Sequence, residues 1–408
     1  MKVAMLAPEF LNVWGGVGSY ITELVMNLPR SIEIHVIAPY RVYFGKEDEN
    51  VAIYVKFNDN IRVHYVTLTK DTFFYNARFQ YAVYNHVPII KREKIDILHT
   101  HTARMPDVLL RVFNRIEVPV VTTIHFTIKS RYKATRSSGV GFSKMSQSER
   151  MTLLLYPMLR VTEELYLRKG EIYVTPSNYM KKWLEHEYPY LHGKIKVIYN
   201  AVDTEFWKKN ERGCDLKSKI GFENIVLYVG RLLALKGLYD LVKVIPRVLR
   251  DNKETIFIFR GTGERRQIEL MLRKLGIPEK NYMFVGYLPR HELIKLYSAS
   301  SVLTLPSYGE NLPMTLLEAM SCPLPVIASN VGGIPEVVQH MVNDVLIAPG
   351  DLNALSNYII TLLQDKNLRE KLARNARKTI EEGFSWNRVI PQIVQTYQEV
   401  LENRRVGT

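Results

Sequence analysis

Cysteine is nearly absent from this 408-residue chain, and its two copies, Cys214 and Cys322, lie far apart. They make neither a disulfide framework nor a metal-binding spacing, so a reducing cytoplasm fits the sequence. No apolar run reaches the ~18 residues that would mark a membrane-crossing helix. The opening "MKVAMLAPEF" has one lysine and a short apolar run that leads to Glu9, not to a small-residue cleavage site. It reads as a first strand and not as a secretory leader. There is no Asp-x-Asp to hold a metal, no P-loop and no Ser/His/Asp signature. The dinucleotide fingerprint fails as well, because from Gly16 and Gly18 the third glycine would fall on Ile21.

Acidic residues are also in deficit. There are 41 Asp and Glu against 55 Lys and Arg, a net charge of +14. Such a surface attracts phosphorylated small molecules, anionic lipid or nucleic acid, or serves solubility alone. The basic residues are not interleaved with aromatics in a repeating way, and no nucleic-acid module is recognisable, so a nucleic-acid partner is not expected.

What the chain does contain is alternation. A single core rarely grows to this length, so two domains are expected. "KVAMLAP", "IEIHVIAP", "IDILHTH", "VPVVTTIHF" and "EIYVTPS" are apolar, β-branched runs separated by helical stretches, and "KIKVIYNAV" closes the series. The pattern restarts at "NIVLYVGRL" and continues through "TIFIFRGTGE", "YMFVGYL", "SVLTLPS", "PVIASN" and "VLIAPGD". Strands alternating with helices predict an α/β chain built of two Rossmann-like, doubly wound domains. The expected divisions are 1–203, 204–385 and a last helix 386–408, with the charged stretch 203–223 as linker. Residues 129–170 interrupt the alternation with nine Lys/Arg against three Glu. A long insert at this place reads as a binding loop.

Candidate site residues cluster where strands end. Gly15 and Gly16 lie between the first strand and a helix, where absent side chains let an anion approach a positive helix end. The alternative is a tight turn without a ligand. Arg231 and Lys236 follow the strand "VLYVG", and ligands of parallel sheets bind outside the carboxyl ends of strands. An arginine fork and a lysine point charge suit a diphosphate. "FRGTGERR" repeats the strand–glycine–helix theme. In "PSYGENLPMTLLEAMS", Glu310 sits before a predicted helix start at Pro313 and Glu318 lies about two turns inside it. His125 ends a strand, with His99 and His101 ending its neighbour. A satisfied structural histidine is an equal alternative there, and no partner carboxylate has metal-ligand spacing.

Taken together, these residues resemble the retaining glycosyltransferases of family 4, with the GT-B fold (glycosyltransferase group 1). The likeness rests on Gly15-Gly16-Val17-Gly18, on "VIYNAVDTEFW", on "VGRLLALKG", and on Glu310 with Glu318 followed by "GGIPEVV" and "APGD". Ala201, "SCPLPV" and the pair Asp344 and Val345 depart from the family's pattern. The resemblance implies two domains facing across a cleft and transfer of a hexosyl group from a nucleotide-diphosphate sugar, such as UDP-glucose or GDP-mannose, to a sugar, lipid-linked or phosphorylated acceptor. It implies no metal and no cofactor. By the same resemblance Arg231 and Lys236 bind the donor diphosphate and Glu318 the ribose. The backbone at Leu288 meets the base. Glu310 and the segment through Asn311, Leu312 and Met314 meet sugar and phosphate. His125 contacts the donor sugar, and Gly15 and Gly16 admit the donor phosphate. A nucleotide-sugar epimerase of the same fold is the alternative, and a non-catalytic sensor or nucleic-acid-binding protein a more distant one. The basic insert and "LLRVFNRI" add peripheral contact with an anionic membrane to the expectations.

Overall fold

A computed structural model describes residues 1–11, 15–41, 57–69, 75–102 and 105–406. The chain divides into two units. The first comprises residues 1–128, 156–200 and 386–408, and the second 129–155 and 201–385.

The first unit is built on seven strands: β1 (Lys2–Leu6), β2 (Glu33–Arg41), β3 (Ile61–Thr69), β4 (Ile97–His101), β5 (Val120–Thr123), β6 (Ile172–Thr175) and β7 (Ile195–Val197). Their order is β3-β2-β1-β4-β5-β6-β7, and every pairing is parallel. β4 is buried along its whole length and β1 at four of five positions. Continuous burial is what a parallel sheet demands, because crossover helices cover both faces. Two hydrophobic clusters pack against the sheet: one gathers Ala4, Leu6, Ile37, Leu98 and Leu110, and another gathers Ile124, Tyr173, Leu184 and Ile195. The last helix, Trp386–Val406, belongs to this unit, where the Trp386 indole donates to buried Glu23 at 2.8 Å.

The second unit has six strands: β8 (Asn224–Val229), β9 (Thr255–Arg260), β10 (Tyr282–Val285), β11 (Val302–Leu305), β12 (Val326–Ser329) and β13 (Val345–Ile347). The order is β10-β9-β8-β11-β12-β13, again all parallel. The helix Leu238–Asp251 buries Leu238, Leu241, Val242, Ile245 and Val248, the spacing of one helical face. That face packs in one cluster with Phe257 and Phe259 of β9. Full burial of each such aliphatic side chain contributes roughly 1.5–3 kcal/mol.

In each sheet the order reverses beside the first strand, between β1 and β4 and between β8 and β11. Two crossovers leave in opposite directions there, so their loops splay apart at the carboxyl edge and open a place for a ligand.

Two expectations are corrected. The stretch 203–223 is no open linker: it contains the helix Arg212–Ile220, closed by Gly221 at φ 74°. Residues 129–170 are not a loop either. They form the helices Ile128–Ser137, Gln147–Leu154 and Tyr156–Arg168. The second of these starts at a reciprocal cap, in which Ser146 Oγ accepts from the Glu149 N–H while the Glu149 carboxylate accepts from the Ser146 N–H.

Candidate active site

In the second unit the candidate residues gather at the β8–β11 reversal. β8 ends at Val229, and Arg231 lies exposed just beyond it. The Tyr228 hydroxyl donates to the Arg231 carbonyl at 2.7 Å and fixes that corner. A single 3-10 turn, Ala234–Lys236, then carries the lysine. It closes at Gly237, whose φ is 66°. A Cβ at Gly237 would stand 1.8 Å from the Pro306 carbonyl oxygen, so only glycine lets this turn press against the loop leaving β11.

That closeness brings Lys236 to Glu310. The ammonium donates to Glu310 Oε1 at 2.6 Å, and Ser307 Oγ donates to the same oxygen at 2.8 Å. The carboxylate is nearly buried, while the lysine keeps 27% of its side chain exposed. A desolvated, hydrogen-bonded pair of this kind is a fixed electrostatic device and not a fluctuating surface contact. The turn of "GGIPEVV" supports the Glu310 loop from beneath. Gly333 N–H donates to the Asn311 carbonyl at 2.7 Å, and a Cβ on Gly332 would lie 1.9 Å from the Glu310 carbonyl oxygen. Asn311, Leu312 and Met314 are buried, and Met314 opens the helix Met314–Ser321.

Glu318 does not face solvent. It lies inside that helix at 5% exposure and accepts a 2.8 Å bond from the Tyr297 hydroxyl. Burial, and then the adjacent carboxylate, push the Tyr297 phenol well above its ordinary range, so it stays a donor. The Leu288 carbonyl accepts from the Arg260 guanidinium at 3.1 Å. Arg260 ends β9, so the next strand of the sheet holds the backbone at Leu288 in place.

In the first unit Gly15 is the N-cap of the helix Gly16–Asn27, with no side chain to occupy the helix end. Three histidine rings lie at the neighbouring strand ends. His99 and His101 point to one face of β4 and stack at 4.7 Å. His125, just past β5, stacks on His101 at 5.3 Å, with its Nε2 3.1 Å from His101 Nδ1. Burial lowers His99 and His125 to about 3 and His101 well below its usual value, so all three rings are neutral. They form a stack and do not converge on a point. Among the described residues no group of three or more His, Cys, Asp or Glu is arranged to hold a metal ion.

Two family models cover most of the chain. The model for "Glycosyltransferase Family 4" matches residues 14–206, and that for "Glycosyl transferases group 1" matches residues 216–379. The chain belongs to the group 1, family 4 glycosyltransferases. The N-acetyl-alpha-D-glucosaminyl L-malate synthase of Bacillus anthracis is 26% identical over 406 residues, 96% of each chain. The solved sucrose-phosphate synthase from Thermosynechococcus elongatus superposes with a TM-score of 0.78 at 20% identity, covering 99% of this chain and all of that one. Anabaena HepE, solved with UDP-glucose, gives 0.72 at 19%, covering 98% of this chain and all of that one. These structural likenesses show the GT-B fold. The relatives are transferases, and the epimerase alternative is not favoured.

The sequence reading missed two supports of this glycosyltransferase's site. Glu149 is fully buried, and its Oε1 accepts from the Leu235 N–H at 3.0 Å, inside the turn that carries Lys236. Beside it, the Tyr239 hydroxyl donates to the Lys144 carbonyl at 2.8 Å. The second missed support is Arg260. The Ser-x-x-Glu spacing of 146–149 was the one available signal for Glu149, and it marks a helix start and not a distant partner. No helix among the described residues is long and apolar enough to cross a membrane.

Proposed function

We propose that the chain is a retaining, metal-independent hexosyltransferase that takes a sugar from a nucleoside-diphosphate donor and passes it to a sugar, lipid-linked or phosphorylated acceptor. The observation that carries this reading is the Lys236–Glu310–Ser307 cluster at the β8–β11 reversal, with Arg231 on the same loop. The UDP-glucose in the HepE structure supports a nucleotide-sugar donor.

Arg231 and Lys236 take the diphosphate, and buried Glu318 takes the ribose. The backbone at Leu288 meets the base, while the Glu310–Met314 segment and His125 meet the sugar. As the bond from the anomeric carbon to the phosphate oxygen breaks, negative charge grows on the leaving diphosphate and positive charge on the sugar. Fixed cations aimed at that phosphate lower the barrier without reorganising. The new bond forms on the same face, and the acceptor hydroxyl gives its proton to the departing phosphate oxygen. No carboxylate is assigned the part of a covalent nucleophile. Trapping a glycosyl-enzyme on one, seen by mass spectrometry, would refute that part.

A thermal-shift panel with UDP, GDP, ADP, NAD and the matching nucleotide sugars tests the whole. A nucleoside diphosphate at 100 times its Kd stabilises the fold by about 2.7 kcal/mol. One diphosphate should shift the wild type, and Lys236→Ala should abolish the shift. A response to none of them, or to NAD alone, overturns the proposal.

A further inference from the structure

The amino edge of the first sheet carries a cavity of about 260 Å³ beside the starts of β4 and β5, partly open to solvent. Gly15 and His125 stand at the other, carboxyl edge of this sheet. Ile95, Leu98 and Leu110, all buried, line the cavity together with half-buried Ile90, Ile116 and Val118. These six side chains belong to one hydrophobic cluster. An apolar cavity of ~150 Å³ already admits benzene, so a short hydrocarbon tail fits here.

Two chain reversals of the same kind build the mouth. The helix Val87–Arg92 closes at Lys94, whose φ is 52°. The Lys94 N–H donates to the Lys91 carbonyl, and the Ile95 N–H to the Ile90 carbonyl, each at 3.2 Å. The helix Val108–Val112 closes at Asn114, whose φ is 51°. There the Asn114 N–H donates to the Arg111 carbonyl at 3.3 Å, and the Arg115 N–H to the Leu110 carbonyl at 2.9 Å. Both are left-handed helix closures made without glycine. They send Ile95 back into the apolar cluster and leave Lys94 and Arg115 exposed at the rim. The same bonds occupy helix-end carbonyls that would otherwise repel an anion.

The rim is not neutral. Lys91 pairs with Glu117 at 2.7 Å. Lys94 and Arg115 have no carboxylate partner among the described residues, and the Arg115 guanidinium lies 5.4 Å from the centroid of the Tyr84 ring. Three cations and one acid leave two positive charges over an apolar cavity. The complement of that surface is a hydrocarbon tail with an anionic head. The volume holds one short tail and not the paired acyl chains of a bilayer lipid.

We propose that this cavity is a binding site for a free, single-tailed anionic amphiphile of the aliphatic carboxylate class, whose tail lies among Ile95, Leu98, Leu110 and Ile116 and whose head meets Lys94 and Arg115. The inference is independent of the donor reading.

The test is calorimetric titration of the full chain with octanoate below its micellar limit. Octanoate should bind, and hexanoate should bind roughly tenfold more weakly, because two methylenes fewer are buried. Octylammonium, with the same tail and the opposite charge, should bind more weakly than octanoate. Ile116→Phe narrows the cavity from its half-buried wall and should abolish binding. Lys94→Asn keeps a residue that tolerates the left-handed conformation. Combined with Arg115→Gln, it should weaken octanoate roughly three- to tenfold at low salt and less as salt is added. No binding of octanoate overturns the proposal, as does equal binding of octylammonium. Octanoate binding that neither Ile116→Phe nor the double charge variant changes overturns it too, and the second variant decides if the first fails to fold. Binding to vesicles of anionic phospholipid without any to octanoate would refute the cavity as the site and make the basic rim a membrane-facing surface instead.

Discussion

Replacing Lys236 with methionine keeps most of the stem and removes only the charge. Two losses are expected. The first falls on the leaving phosphate, which no longer meets a preorganised cation. Removing one such group costs about 2.7–4 kcal/mol, or 10²- to 10³-fold in rate. The second falls on Glu310, whose Oε1 keeps the Ser307 bond at 2.8 Å but loses the charged one at 2.6 Å. Charge-assisted bonds contribute about 1.5–3 kcal/mol, and the 27% exposure of the lysine side chain argues for the lower end. Glu310→Gln alone replaces the ion pair by a bond from the Lys236 ammonium to a neutral amide oxygen, which is weaker but still charge-assisted. If Glu310 acts only by holding Lys236, that variant should lose about fivefold in kcat/KM. The double variant should then match Lys236→Met within about twofold, because the two side chains share one function. If Glu310 also touches the sugar, the losses should multiply. The assay is release of nucleoside diphosphate with the donor that the thermal panel identifies, with kcat and KM resolved separately. Lys236→Met that keeps more than about one-fifth of wild-type kcat/KM would refute the phosphate assignment whatever Glu310 does.

Two further outcomes are expected. Glu149→Gln leaves one oxygen where two N–H groups, of Ser146 and Leu235, each find one now. The Kd for the nucleoside diphosphate should rise roughly tenfold by calorimetry, the size of one charged hydrogen bond lost, and an unchanged Kd would detach Glu149 from the site. Asp344, fully buried, accepts from the Val326 N–H at 2.6 Å, and its other oxygen has no partner. Burial raises its carboxyl well above the usual range, so folding favours the protonated form over the ionised one. Its stabilising contribution is complete below the unfolded pKa of about 3.9 and is lost as pH rises toward the folded value. Asp344→Asn should therefore gain stability over the wild type by up to about 1.4 kcal/mol per pH unit above 4, read from denaturation at several pH values, and parallel pH profiles would refute it.

The parts of the site that were legible in the sequence are local. Arg231 and Lys236 are five residues apart after an apolar strand, and Glu310 sits a few residues before a proline-marked helix start. Strand ends of a parallel sheet then place them without further information. The burial of Glu318 had a local signal too, since it is the one charge in "MTLLEAMS", and a helix apolar on all sides is a buried helix. The unread parts are all distant. Glu149 is 86 residues from Leu235, and Arg260 is 28 from Leu288. No periodicity connects such partners, because the contact exists only after the crossovers have ordered the strands. The corrected linker and loop failed for another reason. Both stretches are rich in charge, and charge was read as absence of structure, although a one-sided helix needs only a few apolar positions to pack.

The segment 129–155 shows what this distance conceals. By chain order it follows His125 and belongs to the first series of strands. By its contacts it belongs to the second unit, where it meets the turn that carries Lys236, the helix after that turn and the loop that carries Glu310. Glu149 holds the Leu235 N–H, the Lys144 carbonyl takes the Tyr239 hydroxyl, and Ala134 lies where a Cβ on Gly309 would come within 2.4 Å. Gly309 is the residue before Glu310, and Leu235 is the residue before Lys236. Both members of the central ion pair are thus flanked by backbone that this segment touches. The nine basic residues counted across 129–170 suggested a charged ligand. The contacts that reach the Lys236 and Glu310 loops include those of an acid, a carbonyl and a methyl group. Net charge fits a bound anion or solubility alone, and composition does not reveal a buried neighbour such as Glu149, which holds the backbone beside Lys236.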